Sequence, residues 1–419
     1  MKEKIAIIGS GISGLTCAWL LREKYDVHLF EANDYIGGHT QTTDVDVDGV
    51  TYPVNTGFIV FNDWTYPNFI RLMERLGVPT EASDMSFSVK SEASGLEYNG
   101  HTLNTLFSQR RNIFNPAFWF MIKDILRFNR ETRAELADGS ISSEETLGSY
   151  LKRKNYGRYF CQYYIIPMGA AIWSASEDMM MEFPLYFFLR FFNNHGMLSV
   201  DERPQWRVVS QGSQSYVRRI LLDLPQHQVH VSTPVHRITR SEQSVTIHSS
   251  RGEESFSQVI FACHSNQALA MLEDASDDEQ AILGAIPYQP NDVVLHTDAS
   301  VLPQKKLSWA AWNYHIGRNK QETVAVTYYM NRLQNFHHCP VDFCVTLNKS
   351  ADIDDSKVIR RFTYDHPVFT LEGMKAQRRH ADISGRNRTH YCGAYWFNGF
   401  HEDGVVSALR VTDALGVSL

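Results

Sequence analysis

The sequence is poor in cysteine: Cys17, Cys161, Cys263, Cys339, Cys344 and Cys392 are all there are, and no two form a CxxC pair. In a chain of 419 residues this is no disulfide framework, so a reducing, cytoplasmic setting is expected. Any run of about 20 apolar residues, the length of a membrane-crossing helix, is also missing. Ile5-Ala6-Ile7-Ile8 is too short for a signal peptide and follows an acidic residue. Positive charge is in deficit, with 40 Lys and Arg against 47 Asp and Glu, which argues against general nucleic-acid binding. His337-His338-Cys339-Pro340 with Cys344 lacks the paired spacing of a four-ligand zinc site, so a surface loop and no metal are expected.

What the chain does have is glycine in informative places. Ile5-Ala6-Ile7-Ile8 reads as a buried parallel strand and residues 15–21 as a helix. The turn between them, Gly9-Ser10-Gly11-Ile12-Ser13-Gly14, matches G-x-G-x-x-G. One glycine permits the turn, one lets a pyrophosphate approach the backbone, and one lets helix and strand pack closely. The helix then turns its free N–H groups toward the anion. Tyr25-Asp26-Val27-His28-Leu29-Phe30 is the next strand, and it ends at Glu31, a carboxylate placed to accept hydrogen bonds from ribose hydroxyls. Strand, turn, helix, strand and acid occur in the order a dinucleotide-binding unit needs. The length allows two domains, or one with another inserted.

A second glycine pair follows in Glu31-Ala32-Asn33-Asp34-Tyr35-Ile36-Gly37-Gly38-His39-Thr40. This stretch resembles the extended motif of the FAD-dependent amine oxidase and phytoene desaturase superfamily, with His39 where Arg is usual. Three later segments are similar to the same superfamily. Residues 208–216 resemble the step that returns the chain to the cofactor domain. Residues 231–238 resemble the strand beside the adenine, with Val235 at the contact position. Residues 391–408 resemble the C-terminal flavin motif, with Ala394 where Asp or Glu usually follows the glycine.

The resemblance implies an α/β fold: a Rossmann-like, glutathione-reductase-like FAD-binding domain (1–60, 205–290 and 380–419) with an inserted α+β substrate domain (61–204 and 291–379). It implies non-covalent FAD held by Gly9, Gly11, Ile12, Ser13, Gly14, Glu31, Ala32, Gly37, Gly38, His39, Thr40, Val235, Gly393, Ala394, Asp403, Gly404 and Val405. A helix starting near Gly404 is expected to aim its positive end at the flavin.

In such enzymes the cofactor carries the chemistry and the protein orients the substrate. Tyr395, Trp396 and Trp173 are candidate pocket aromatics, each with core packing as the alternative. His366 is a candidate general base. The expected activity is that of an FAD-dependent oxidoreductase taking hydride from a C–N or C–C unit of a small amine or acyl-lipid substrate. Similarity to bacterial amine-oxidase-like NAD/FAD-binding proteins implies acyl chemistry, whereas an amine oxidase calls for a lysine near the flavin, for which Lys305 and Lys306 are the candidates. The alternative is a flavin-dependent isomerase or a flavin-binding protein without net redox turnover. Residues 111–130 offer a basic stripe, Lys123, Arg127 and Arg130, beside an apolar one, Phe118, Ile122 and Ile125. Peripheral membrane contact and burial against the substrate domain are both open for that helix.

Overall fold

A computed structural model describes residues 2–142, 144–199, 201–318 and 324–419. Its centre is a five-stranded parallel sheet in the order Val229–His230, Asp26–Phe30, Lys4–Ile8, Gln258–Phe261, Thr389–Tyr391. The first strand of the chain is central because both of its faces are apolar. Ile5 and Ile7 face one buried cluster, with helices Ile12–Leu21, Gln214–Leu222 and His401–Ala414. Ala6 and Ile8 face another, under the antiparallel strands Val235–Arg240, Val245–Ser249 and Gly252–Phe256. The sheet leaves Lys4–Ile8 toward Asp26–Phe30 on one side and toward Gln258–Phe261 on the other. That reversal opens a crevice at the carboxyl ends of the strands, where ligands of such sheets bind.

The second body is a mixed seven-stranded sheet, ordered Val358–Pro367, Tyr288–His296, Cys344–Leu347, Ala325–Tyr329, Trp312–Ile316, Phe87–Ser91, Glu97–Asn99. Only the pairing of Trp312–Ile316 with Phe87–Ser91 is parallel. Helices Pro116–Asp138, Ile166–Trp173 and Leu185–Asn194 share one large apolar cluster with this sheet. The two longest strands, Tyr288–His296 and Val358–Pro367, pair along their length with His366 opposite Gln289. Their shared end carries His366 back toward the parallel sheet. No helix among the described residues is long and apolar enough to cross a membrane.

The helix Pro116–Asp138 settles the burial question for its apolar stripe. Phe118 is fully buried, and Ile122 and Ile125 pack against the core. That stripe is therefore not available to a membrane. Arg127 also leaves the expected basic stripe: its guanidinium lies 4.0 Å over the Tyr156 ring and 3.5 Å from Asp124.

Close packing at the crevice rests on absent side chains. A Cβ on Gly14 would stand 2.0 Å from the Gly9 carbonyl oxygen, whereas one on Gly11 would meet nothing within 4 Å. Gly14→Ala is expected to cost about 3 kcal/mol or more of stability, and Gly11→Ala less than about 1 kcal/mol. Chemical denaturation of the two variants beside the wild type checks the contrast.

Candidate functional site

The Gly9–Gly14 turn joins the strand Lys4–Ile8 to the helix Ile12–Leu21. Gly9 has φ of 103°, which side chains rarely tolerate. Gly11 caps the helix with no side-chain hydrogen bond, and the first turn holds no acid, so the leading N–H groups are left for an anion. Glu31 closes the other side of the turn. Its carboxylate accepts from the Ser10 N–H at 3.0 Å and hydroxyl at 2.6 Å, and from the Asn33 N–H at 2.9 Å and side-chain amide at 3.0 Å. Ala32 beside it is exposed.

The second glycine pair lies against the first motif. A Cβ on Gly38 would come within 3.1 Å of the Gly11 Cα, and the Gly37 N–H donates to the Ser10 hydroxyl at 3.2 Å. The segment leading into Val235 runs along Glu31: the Thr233 N–H donates to the Glu31 carbonyl and the Ser232 N–H to the Asn33 carbonyl, both at 2.8 Å. Val235 is half-buried at the head of its strand. Thr40 is buried, and its hydroxyl bonds Tyr216 and, at 3.0 Å, His401.

The C-terminal motif joins the same place. A Cβ on Gly404 would press on Ile12 at 2.6 Å, and the Ser13 hydroxyl donates to the Gly404 carbonyl at 2.9 Å. The helices Ile12–Leu21 and His401–Ala414 thus start side by side, with Val405 buried between them and the sheet. Gly393 donates its N–H to Ser407 at 2.9 Å, and the Cβ of half-buried Ala394 lies 3.9 Å from where a Cβ on Gly404 would stand. The Asp403 carboxylate accepts the Phe400 N–H at 2.9 Å and the Asn398 amide at 3.2 Å. Burial pushes that carboxyl up to about 7. Glu402 is likewise committed, accepting the Asn68 and Phe69 N–H groups that open the helix Pro67–Leu76. Both carboxyl groups stand in the first turn of the helix His401–Ala414.

Between the two sheets lies a group of imidazoles. The His39 ring is 5.7 Å from His366, 6.1 Å from His264 and 4.9 Å from Tyr364, and His264 stacks on Tyr288 at 4.4 Å. Burial holds His39 and His264 down at about 4 and His366 at about 3. All three are neutral at pH 7. The His366 Nδ1 pairs with the Ser174 hydroxyl at 3.0 Å. His39 supplies no cation where Arg is usual.

Ser174 ends the helix Ile166–Trp173 in a left-handed conformation, φ 53°. Next to it, Trp173 is packed among Phe183, Phe187, Phe188 and Phe191. It lines a cavity of about 500 Å³ with Phe183, Pro367, Val368 and Phe369. Tyr395 packs against Gly393 and 6.4 Å from Tyr288, beside the imidazoles. Trp396 points elsewhere, edge-on to His380 at 4.6 Å in the core beneath the sheet. Among the described residues His39 Nε2, Trp173 Nε1, Tyr395 OH and Trp396 Nε1 are buried without a hydrogen-bond partner, and buried polar atoms ordinarily have one.

Lys305 and Lys306 are exposed, Lys306 lying over Trp309. His337 and His338 are exposed while Cys344 is buried in the sheet. No three His, Cys, Asp or Glu side chains among the described residues gather as a metal site. A larger depression, about 720 Å³ around Lys2, Lys4, Arg22 and Asp26, lies at the amino ends of the parallel strands, the wrong end for a nucleotide. Sequence reading passed over His264, although it lies just past the end of the parallel strand Gln258–Phe261. It also passed over Ser174 as a partner for His366.

The family model for flavin containing amine oxidoreductases matches residues 12–330. Among solved structures, cyclohexylamine oxidase from Brevibacterium oxydans IH-35A is 15% identical, with a TM-score of 0.69, 99% of this chain and 100% of that one covered. A CLA-producing fatty acid isomerase from P. acnes is 17% identical, with a TM-score of 0.69 and 98% of both chains covered. A putrescine oxidase bound to putrescine is 16% identical, with a TM-score of 0.64 and 99% of both covered. No curated protein matches the sequence.

Asp403 gives the site a pH signature. Between the ordinary carboxylate range and about 7, the native state keeps a proton that the unfolded chain releases, so stability falls as pH rises through that window. Asp403→Asn removes this loss. Its melting temperature is expected to gain about 3–5 °C on the wild type between pH 5 and pH 8, measured by thermal denaturation at both pH values.

Proposed function

The chain belongs to the flavin containing amine oxidoreductase family, and on that premise we propose that it binds FAD non-covalently and oxidises a C–N or C–C unit of an apolar substrate. The observation that carries the reading is the meeting of three glycine-bearing segments, at Gly11, Gly38 and Gly404, on the amino ends of two helices. The residues present fit the cofactor. Space is open over Gly11, and unpartnered polar atoms of His39 and Tyr395 stand buried nearby.

In this reading residues 1–60, 205–290 and 380–419 hold the cofactor, and 61–204 and 291–379 the substrate. The turn Gly9, Gly11, Ile12, Ser13 and Gly14 binds the diphosphate through main-chain N–H groups. Glu31 and Ala32 face the ribose, and Val235 the adenine. Gly37, Gly38, His39, Thr40, Gly393, Ala394, Gly404 and Val405 surround the remainder. Bound flavin would supply the hydride acceptor. Burial pushes the Cys263 thiol up to about 12, so it stays protonated and is no nucleophile toward the cofactor, which supports the non-covalent reading.

The chain's own part is to orient and to keep water out. Trp173, Phe183 and Phe369 line a cavity together with Glu182 and Glu372, and the His366–Ser174 pair sits next to two of its walls in sequence. Neutral imidazoles there can donate or accept a hydrogen bond without bringing charge into the cleft. The fatty acid isomerase of the same fold keeps the redox-neutral alternative in view.

Purified protein is expected to carry a flavin absorbance band, and Gly11→Val to lose it while keeping its fold by circular dichroism. Anaerobic mixing with hydrophobic amines and with acyl chains decides the chemistry. Bleaching of the flavin by one class supports oxidation. A band that stays oxidised with every candidate supports the isomerase reading. Trp173→Ala is expected to slow bleaching at least about tenfold at limiting substrate, by loss of buried apolar contact.

A further inference from the structure

We propose that residues 103–126, together with 305–307, form a cationic apolar face by which the protein lies on an anionic lipid surface. The proposal is independent of the redox reading. It replaces the stripe of Phe118, Ile122 and Ile125, which faces the core, with the opposite side of the same helix.

The outward side is apolar where a soluble surface would be polar. Phe114 is 87% exposed, Phe120 64% and Trp119 49%. Leu103, Ile113 and Leu126 are exposed as well. These residues belong to one region. Trp119 donates its indole N–H to the Ile113 carbonyl at 2.8 Å and packs 5.3 Å from Phe107. Ser108 bonds Ser308 at 2.7 Å, which brings the turn bearing Lys305, Lys306 and exposed Leu307 alongside. Large apolar side chains gathered in this way on a surface mark an interaction site.

Charge selects the occupant. The whole chain carries a formal charge of −7, yet the single acid within 103–126 is Asp124, which lies 3.5 Å from Arg127 and accepts the Gly157 N–H at 2.8 Å. Arg110, Arg111 and Lys123 lie in that stretch. Arg110 bonds the Asn104 and Phe107 carbonyls, and Arg111 the Gly95 carbonyl. Neither these three nor Lys305 and Lys306 pair with a carboxylate among the described residues. Unneutralised cations around exposed Phe, Trp and Leu match an anionic headgroup layer over acyl chains, the partner that interfacial helices recognise. A second copy of this chain would bring the same positive charge against itself.

The test is flotation of the full-length protein with vesicles of phosphatidylcholine alone and of phosphatidylcholine with phosphatidylglycerol, at two salt concentrations. Binding is expected to be at least about tenfold tighter to the anionic vesicles and to weaken with salt. Phe114→Ser with Phe120→Ser should lower it about tenfold or more, as should Arg110→Gln, Arg111→Gln and Lys123→Gln together. Leu222→Ser, at another exposed position, should leave it unchanged. Circular dichroism confirms that each variant folds. Absence of binding to anionic vesicles, or binding that ignores both sets of changes, overturns the proposal. So does sedimentation showing a wild-type dimer that the double Phe variant converts to monomer without any vesicle binding, since the face would then join two copies.

Discussion

The helix Ile12–Leu21 can sit on the end of the strand Lys4–Ile8 only because Gly14 has no side chain. Its Cα side meets the Gly9 carbonyl at a separation that no Cβ could share. The amino end of the helix is thereby fixed over the crevice, and its unbonded N–H groups face the place where the sheet reverses direction. The same device recurs from the other end of the chain. Gly404 lets the helix His401–Ala414 press against Ile12 and Ser13. Two segments nearly 400 residues apart are joined by the absence of atoms.

This explains how much of the molecule could be read in advance. The amino-terminal motif is local: strand, turn, helix and acid fall within the first 31 residues, and each residue type answers to one steric or hydrogen-bonding need. The glycine turn and the two strands that flank its helix were legible for that reason. The imidazole group was not. His39, His264 and His366 lie on three separate stretches, and only the pairing that sets His366 opposite Gln289 brings the last of them to the crevice. Trp396 shows a related limit. A motif gave its neighbourhood, but the direction of a side chain leaving a tight turn depends on tertiary packing, here against His380.

The helix Pro116–Asp138 adds another lesson. Periodicity identified the residues that share a face, and Phe118, Ile122 and Ile125 do share one. It could not say what covers that face. The exposed aromatic residues Phe114, Trp119 and Phe120 follow no helical period, because Phe114 belongs to a short preceding turn capped off by Asn115. Their exposure emerges only once the chain is folded.

Several ionisable side chains at the crevice are held in their neutral forms. His39, His264 and His366 are held neutral, the Cys263 thiol is protonated, and the Asp403 carboxyl stands near 7. Glu31 has its carboxylate engaged by four donors. Fixed N–H groups therefore have to do for an anion what an arginine would do elsewhere. The cavity beside Trp173 is of mixed character, since Phe183 and Phe369 line it together with Glu182 and Glu372. A carboxylate on such a lining can replace part of the solvation an entering cation loses, while the aromatic rings take up apolar surface.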